Sequence, residues 1–138
     1  MRDTNALEKL GASVINCAIV ALFSVPFLFI KTKLDIKYII IIIFFLYQVL
    51  ILFRKDKRCI GMIILKTYWN KEYKNINYII FCFLYTLSFS TILIWVLIPF
   101  DLLLINLIGI QLPFVYCTGF TLHGFLSGKM KTVKKLKQ

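Results

Sequence analysis

The chain has 138 residues, of which 60% are hydrophobic, and its mean hydropathy is +0.84. A single small core could not bury that much apolar surface, so these values exclude an ordinary water-soluble domain and predict one domain surrounded mainly by lipid. The net charge of +11 does not indicate a nucleic-acid-binding protein. The basic residues cluster between and after apolar segments, where anionic headgroups of the inner leaflet would attract them.

The first predicted span covers residues 10–30, a run of 21 residues without a charge. At about 1.5 Å per helical residue, such a run can cross a hydrocarbon core of roughly 30 Å. A cleaved signal peptide is the alternative, but its apolar region would be shorter and would end in small residues. This run ends in Phe29, Ile30 and Lys31, which favours a retained span. One face of the span carries small residues that would let a neighbouring helix approach closely, namely Ser13, Cys17, Ala21 and Ser24.

Three further apolar runs predict spans at residues 38–53, 76–98 and 102–122. The run at 38–53 has only 16 residues, but the side chains of Lys37 and Arg54 can reach the interface from its two ends. A tight turn separates the last two spans, and Asp101 is predicted to cap the helix that follows it. Pro113 is expected to break the regularity of the last span.

Residues 54–75 form a charged connector between the second and third spans. The connector has seven basic residues against two acidic ones: Arg54, Lys55, Lys57, Arg58, Lys66, Lys71 and Lys74 against Asp56 and Glu72. Its apolar stretch, residues 59–65, is too short to cross a membrane, and Tyr68 and Trp69 follow it. Aromatic residues with flanking lysines are typical of the headgroup region. The connector is therefore predicted to lie along the membrane surface, as a short helix or an extended segment.

The distribution of charge selects the topology. With four spans and a cytoplasmic N-terminus, 14 basic residues lie inside and 3 outside, because the connector and the basic tail at residues 129–138 are both inside. With three spans the numbers are 9 and 8, so the positive-inside rule favours four. The sequence thus predicts an all-α integral membrane protein of four transmembrane helices, arranged as two hairpins with both termini cytoplasmic. Each hairpin is followed by a basic, glycine-containing segment, which suggests a parallel two-fold repeat.

The sequence offers no set of residues for catalysis. It contains no Ser-His-Asp set, no glycine-rich phosphate loop and no paired carboxylates, so we do not expect an enzyme or a cofactor. Its four cysteines form no CxxC pattern and stand beside no cluster of histidine or aspartate: Cys17, Cys59, Cys82 and Cys117. Neither a disulfide framework nor a metal site is indicated.

Polar side chains within the predicted spans are the candidates for function. None of them is ionisable, which argues against a proton-coupled mechanism. The simplest interpretation is that they form hydrogen bonds between helices, worth about 1 kcal/mol each. His123, the only histidine, is more typical of a hydrogen-bonding or headgroup residue than of a ligand. The candidate functional residues are the four amides within the spans, Asn16, Gln48, Asn106 and Gln111, together with Lys9 and His123, which stand just outside the first and fourth spans.

Two stretches, Lys9 to Asn16 and Thr121 to Val133, resemble the two ends of an RDD-family membrane protein, and Ile60 to Leu65 resembles that family's glycine-containing cytoplasmic stretch. The family begins its first helix with an arginine and places an aspartate seven residues on. Near its C-terminus it carries a Leu-His-Asp-x-x-Ala-Gly pattern before a β-like tail. Here the arginine and the two aspartates are replaced by Lys9, Asn16 and Gly124. The resemblance implies a small integral membrane protein, with solute or cation transport proposed for some members, and it supports the architecture better than the activity.

Two hypotheses for the function follow. The first is a structural or accessory subunit that binds other membrane proteins, or itself, through its small-residue faces. The second is an oligomeric transporter or channel for a small solute or ion, whose pore is lined by Asn16, Gln48, Asn106 and Gln111. A composition rich in Ile, Lys, Asn, Phe and Tyr suggests an AT-rich genome. Together with the resemblance, it predicts a bacterial inner membrane.

Overall fold

The computed structural model of the chain describes residues 1–29, 35–99 and 101–134. The described residues are mostly helical. In chain order the elements are β1 (Arg2–Asp3), α1 (Ala6–Ser24) with a 3-10 extension (Val25–Phe29), α2 (Ile36–Leu52), α3 (Ile60–Ile64), β2 (Thr67–Trp69), α4 (Asn75–Ser90), α5 (Asp101–Leu104), a π-helical segment (Ile105–Gln111), α6 (Leu112–Thr118), α7 (Leu122–Leu126) and β3 (Thr132–Lys134). We call the continuous helix Asp101–Thr118, which comprises α5, the π segment and α6, the fourth long helix.

Two of the helices are long and apolar enough to cross a membrane, judged by length and composition alone: Ala6–Phe29 and Asp101–Thr118. The other two predicted spans correspond to α2 and α4, which are apolar but shorter, at 17 and 16 residues. The described part of the chain therefore contains an apolar helix at each predicted span, and two of these helices have the length of a full crossing.

The starts of α1 and α2 are fixed by side chains that cap free backbone amides. The Glu8 N–H donates to Asn5 Oδ1 at 2.8 Å, and the Asn5 N–H donates to Glu8 Oε2 at 3.1 Å, which is a capping box. Asp35 Oδ1 accepts from the Lys37 N–H at 3.1 Å. At its far end, α1 stops being α-helical at Ser24, one residue before the Val25–Pro26 pair. Residues 30–34, which include the last residue of the first predicted span and the residues just after it, lie outside the described residues.

The apolar core lies between α1, α2 and α4. Val20, Phe44, Tyr85 and Phe89 form a buried cluster, in which the Phe44 and Phe89 rings stack with centroids 3.8 Å apart. The Tyr85 ring meets Phe44 edge-on at 5.3 Å. Aromatic pairs in these geometries add to the stabilisation that burial itself provides. Three helices are thereby held as one body.

The third span was predicted to continue to residue 98, but the helix at this place is shorter. α4 ends at Ser90, and residues 91–99 form turns and bends. The hydroxyl groups of Ser90 and Thr91 donate to the carbonyls of Leu87 and Ser88, at 2.6 and 2.7 Å, and so compete with continued helical bonding. Beyond them, the Asp101 carboxylate accepts from backbone amides on both sides of the turn, at Val96, Leu97 and Leu102. Asp101 is the first residue of α5 rather than the residue before it, and its carboxylate mainly organises the turn that precedes the helix.

The fourth long helix differs from the predicted span at 102–122 in its end and in the place of its irregularity. It ends at Thr118, because Gly119 adopts the left-handed conformation (φ +73°) that glycine tolerates and that terminates helices. Pro113 lies in the first turn of α6, and the widened π-helical turns lie just before it. Proline has no N–H to donate to the preceding turn, which accounts for a change in helical pitch at this point.

The structure also contains a small antiparallel sheet, in the strand order β1-β3-β2, which the expected all-α fold did not include. Val133 on the central strand pairs with Asp3 on one side and Tyr68 on the other. The all-α expectation is therefore corrected, because β-branched and aromatic residues at Thr67–Trp69 and Thr132–Lys134 form strands once they meet. The sheet joins residues near the N-terminus, residues of the connector and residues of the tail. We call this end of the molecule the basic end.

The connector packs against the helices more closely than a surface segment would. Gly61 and Met62 of α3 are buried, and a Cβ added at Gly61 would stand 2.2 Å from the Ala12 carbonyl oxygen of α1. The α3 backbone therefore touches the α1 backbone directly. After α3, Lys66 adopts a positive φ of 54° and turns the chain into β2.

The two halves of the chain have the same order of elements, in agreement with the expected two-fold repeat. A helical hairpin is followed by a five-residue helix, a lysine with positive φ (Lys66, Lys129) and a three-residue strand. α3 packs on α1, α7 packs on α4, and β2 pairs with β3. The halves differ in their second helices. α2 buries Ile39, Phe44, Gln48 and Ile51, whereas no described residue of the fourth long helix is buried.

Candidate functional site

Asn16 is the centre of a buried hydrogen-bond network near the basic end. Its side chain is 1% exposed. Its Oδ1 accepts from the Tyr47 hydroxyl at 2.9 Å and from the Gly61 N–H at 3.0 Å. Its Nδ2 donates to Cys59 Sγ at 3.2 Å and to the Tyr85 hydroxyl at 3.4 Å. One amide thus connects α1, α2, α4 and the connector.

The network extends by one bond in two directions. The Tyr85 hydroxyl donates to Ser13 Oγ at 2.9 Å, and the Tyr47 hydroxyl accepts from the Ile60 N–H at 3.0 Å. Sequence reasoning identified Asn16 but missed Tyr47, Tyr85 and Cys59 as its partners, and it treated Ser13 only as a small residue. The available signal was the presence of tyrosines within apolar helices, because a buried phenol requires a hydrogen-bond partner.

Beside this network is a cavity of about 80 Å³, lined by residues from both halves of the chain. We call it the polar cavity. Residues of the small sheet line its outer side, namely Thr67, Trp69 and Thr132. Four of the six candidate residues line it as well: Lys9, Asn16, Gln48 and His123. Spacing along the chain could not predict this grouping, because it depends on how the two halves pack.

Two buried polar atoms have no hydrogen-bond partner among the described residues: Gln48 Nε2 and His123 Nδ1. Gln48 is 2% exposed. The imidazole of His123 stacks on Tyr85 and meets Phe81 edge-on, with both pairs of ring centroids 4.9 Å apart. An unpaired buried polar group costs about 1–3 kcal/mol, so unpartnered atoms beside a cavity are unusual.

The burial of His123 also sets its charge. Desolvation lowers the pKa of this imidazole to about 4, so the ring is neutral at pH 7. The sequence favoured a hydrogen-bonding or headgroup residue at a helix end. The ring lies instead inside the molecule, between aromatic side chains.

Lys9 connects the polar cavity with the fourth long helix. Its ammonium donates to the Gly119 carbonyl, which caps the C-terminal end of that helix. A cation suits this position, because a helix C-terminus carries a partial negative charge. Lys9 thereby connects the first turn of α1 to the second half of the chain.

The remaining two candidates, Asn106 and Gln111, lie in a different place. They line an apolar groove of about 350 Å³ between α1, α4 and the fourth long helix, which we call the lateral groove. Asn106 Nδ2 donates to the hydroxyl groups of Ser88 and Thr91, at 2.9 and 3.1 Å. Gln111 Nε2 donates to Asn106 Oδ1 at 3.4 Å. The bonds from Asn106 join the fourth long helix to the end of α4, in agreement with the simplest interpretation of the intramembrane polar residues, whereas the Gln111 bond lies within one helix.

The polar cavity and the lateral groove share part of their walls. Five residues line both spaces: Lys9, Ser13, Tyr85, Thr121 and His123. The six candidate residues thus fall into two adjoining sets, and Lys9 and His123 belong to both.

The cysteines are free thiols: Cys17, Cys59, Cys82 and Cys117. Burial raises the pKa of the Cys59 thiol, so this thiol is protonated and weakly nucleophilic at pH 7. Within residues 1–29, 35–99 and 101–134, no group of three or more His, Cys, Asp or Glu side chains is placed to hold a metal ion.

Acidic side chains at the basic end are paired with basic ones. Asp56 contacts Arg58 at 2.9 Å and Arg54 at 3.2 Å. Burial alone would raise the pKa of Asp56, but the hydrogen bonds from the two arginines lower it overall. Glu8 is paired with Arg2 at 2.5 Å and Lys134 at 3.0 Å. These partly exposed pairs contribute little stability, and they leave the other basic groups of this end in excess.

The three positions that distinguish this chain from the RDD pattern lie near one another. Lys9 and Asn16 line the polar cavity, and Gly124 hydrogen-bonds to Thr121, which also lines it. A Cβ added at Gly124 would stand 2.8 Å from Thr121 Oγ1 and 2.9 Å from the Met130 carbonyl oxygen, so this backbone has no room for an aspartate. No family model, curated protein or solved structure matches the chain.

Proposed function

We propose that this chain is a four-span protein of the bacterial inner membrane that acts as an accessory subunit of a membrane assembly. Both termini and the connector face the cytoplasm in this proposal. The apolar helices support a membrane location, and so do the many large apolar side chains on the outside of the bundle. Cytoplasmic termini are supported by the excess of basic residues and by the sheet, which brings β1, β2 and β3 to one end. The RDD-like character of the chain remains part of the proposal, on the sequence resemblance alone.

The observation that carries the proposal is the loose attachment of the fourth long helix. α2 shares a buried core with α1 and α4, but the fourth long helix stands across the lateral groove from them and buries none of its described residues. Its outer face is apolar, with Ile108 58% exposed and Tyr116 80% exposed. Helices associate in lipid through close packing, which this helix does not obtain within its own chain. A helix of another membrane protein, or of a second copy, would provide that packing.

The test is to determine what lies against this helix in the cell membrane. A photo-crosslinking residue, p-benzoylphenylalanine, is placed at Ile108, and the matched control carries it at Leu46, an exposed position on the outside of α2. After irradiation of intact cells, the crosslinked products are identified, and the native mass of the gently solubilised protein is measured. Both sites face outward and both side chains are apolar, so the comparison isolates the helix.

Protein adducts at Ile108 that are absent at Leu46, together with stoichiometric recovery of an unrelated membrane protein, support the accessory role. Adducts to the chain itself and a clean homo-oligomer would favour the second candidate below. A lone monomer that crosslinks only to lipid at both positions would contradict the accessory role.

The second candidate function is an oligomeric transporter or channel. It is favoured by the shared wall of the polar cavity and the lateral groove, which brings Asn16 and Gln48 close to the region of Asn106 and Gln111. This function predicts solute-dependent flux in liposomes that is abolished by Asn16→Leu. Flux that persists in Asn16→Leu, or no flux with any solute tried, would count against it.

A further inference from the structure

Of all the spaces in the molecule, the polar cavity has the clearest signs of a missing ligand. Two deeply buried polar atoms, Gln48 Nε2 and His123 Nδ1, have no partner among the described residues, and both side chains line this cavity. Buried polar atoms in native proteins are nearly always paired with protein groups, with water or with a ligand. The two side chains come from α2 and α7, on opposite halves of the chain.

The wall of the cavity is mostly apolar, but it carries a few nitrogen groups that can donate hydrogen bonds. The Gln48 amide nitrogen is a donor, and the ammonium groups of Lys9 and Lys57 each have donors left after their single bonds to Gly119 and Asn75. His123 is neutral, and no hydrogen bond in the described chain fixes its tautomer, so Nδ1 can carry the hydrogen.

Two of the acceptors on the wall, Asn16 Oδ1 and the Glu8 carboxylate, are already occupied. Asn16 Oδ1 receives hydrogen bonds from Tyr47 and Gly61. Glu8 is the one carboxylate that lines the cavity among the described residues, and it is paired with Arg2 and Lys134 and with the Asn5 N–H. A ligand that brings its own acceptors and a negative charge therefore suits this wall better than a cation does.

The volume limits the size of the ligand. The cavity measures about 80 Å³. A single water requires roughly 10–15 Å³ on this measure, so the space suits several waters or one ion of a few heavy atoms. A sugar or a nucleotide would not fit.

We infer that the polar cavity binds a small monovalent anion, of the class of formate or chloride, between the Gln48 amide and the Lys9 ammonium. The anion enters from the basic end, where Lys57 and the sheet residues Thr67 and Thr132 line the cavity. The site is independent of the proposed accessory role, because it requires only the chain itself.

The fluorescence emission of Trp69 reports whether the polar cavity is occupied. Its indole lines the cavity, and its Nε1 donates to the Lys57 carbonyl at 2.9 Å. The protein contains one other tryptophan, Trp95, which is 47% exposed. In a Trp95→Phe background, Trp69 emission is titrated with sodium formate or sodium chloride, with sodium gluconate added to hold the ionic strength constant. Gluconate is too large for the cavity and serves as the inactive anion.

Formate or chloride is expected to change Trp69 emission along a saturable curve, and gluconate is expected to leave it unchanged. Gln48→Leu should weaken the apparent affinity at least tenfold, and Lys9→Met should do the same. The matched control is Asn106→Leu, an amide of the lateral groove that lies outside the polar cavity, and it should keep the wild-type affinity. Gln48→Leu removes an unpaired buried polar atom, so it is expected to fold at least as well as the wild type.

A titration curve that is the same in gluconate, or the same in Gln48→Leu as in the wild type, would overturn the inference. The absence of any saturable response to formate and chloride in folded wild-type protein would also overturn it, and would mean that water alone fills the cavity. These measurements use the purified chain, so their outcome is separate from the crosslinking test of the accessory role.

Discussion

Gly61 lets two backbones touch at the centre of the structure. Its N–H donates to Asn16 Oδ1, and the position of its missing Cβ is occupied by the Ala12 carbonyl oxygen. A helix backbone cannot move aside as a flexible side chain can. The packing of α3 on α1, and with it the wall of the polar cavity, depends on this single glycine.

Gly61→Ala is therefore expected to destabilise the fold by about 1–3 kcal/mol, because the new methyl group forces α3 away from α1. The measurement is unfolding of the purified protein in detergent. The matched control is Gly109→Ala, where a Cβ meets nothing within 4 Å, and there the change should be neutral or stabilising by about 0.5–1 kcal/mol. Equal effects of the two substitutions would contradict the close contact at Gly61.

Because His123 is buried, the folded protein is expected to lose stability in weak acid. Its pKa falls from the ordinary value of 6.5 to about 4 in the folded protein, so the unfolded chain takes up the proton first as the pH falls. Stability from this residue is complete above pH 6.5 and is lost between pH 6.5 and 4, by about 1.4 kcal/mol per pH unit. Unfolding measured across this range should show the slope in the wild type and a reduced slope in His123→Phe. An unchanged slope in the variant would place the titration elsewhere.

The functional residues were only partly predictable from the sequence. Asn16 and Gln48 stand out as amides within apolar runs, and both prove to be deeply buried. The partners of Asn16 did not stand out, because Tyr47, Cys59 and Tyr85 are ordinary components of apolar helices and connectors. These three partners stand 31, 43 and 69 residues from Asn16 along the chain, and no local sequence pattern encodes contacts over such separations.

At the scale of elements, the helices followed from the sequence better than the strands. Long apolar runs predict helices wherever they occur, and caps such as Asn5 and Asp35 mark their starts. The strands β2 and β3 have three residues each, which is too short for an alternating pattern. They exist because they pair with each other across the chain. The early end of α4 was also missed, since the residues beyond Ser90 are as apolar as those before it.

The second helix of each half, α2 in the first and the fourth long helix in the second, should differ in how easily its backbone hydrogen bonds open. α2 buries four residues, whereas the fourth long helix buries none among those described and contains π-helical turns. Amide hydrogen exchange in detergent is therefore expected to be faster across the middle of the fourth long helix than across the middle of α2, because local opening of the fourth long helix breaks few buried contacts. Equal protection of the two helices would contradict their different packing. If a partner covers the fourth long helix, its protection should rise in the intact assembly.

At the scale of the whole molecule, the small sheet and the basic connector lie at the same end. The sheet holds β1, the connector and the tail at the basic end. Asp35, which caps the start of α2, lies at the far end of that helix, and the turn before Asp101 lies at the far end of α4. If the basic end faces the cytoplasm, positions at the two ends should react with reagents from opposite sides of the membrane.

Single cysteines test this orientation in a background from which the four native cysteines have been removed. Lys55→Cys at the basic end should react with a membrane-impermeant maleimide only after the cells are opened. Leu97→Cys, at an 88% exposed position in the turn after α4, should react in intact cells. Labelling of both positions from the same side would contradict the four-span arrangement.

The order of strands in the sheet has a consequence for how the protein is made. β3 is the central strand, so β1 and β2 do not pair with each other, and each waits for residues 132–134. During synthesis, the first hairpin and the connector are made while both outer strands still lack a neighbour. The sheet can form only after residues 132–134 have been made, because both outer strands pair with β3. Release of the chain before residue 132 would leave β1 and β2 without their shared partner strand and would expose the edges of both.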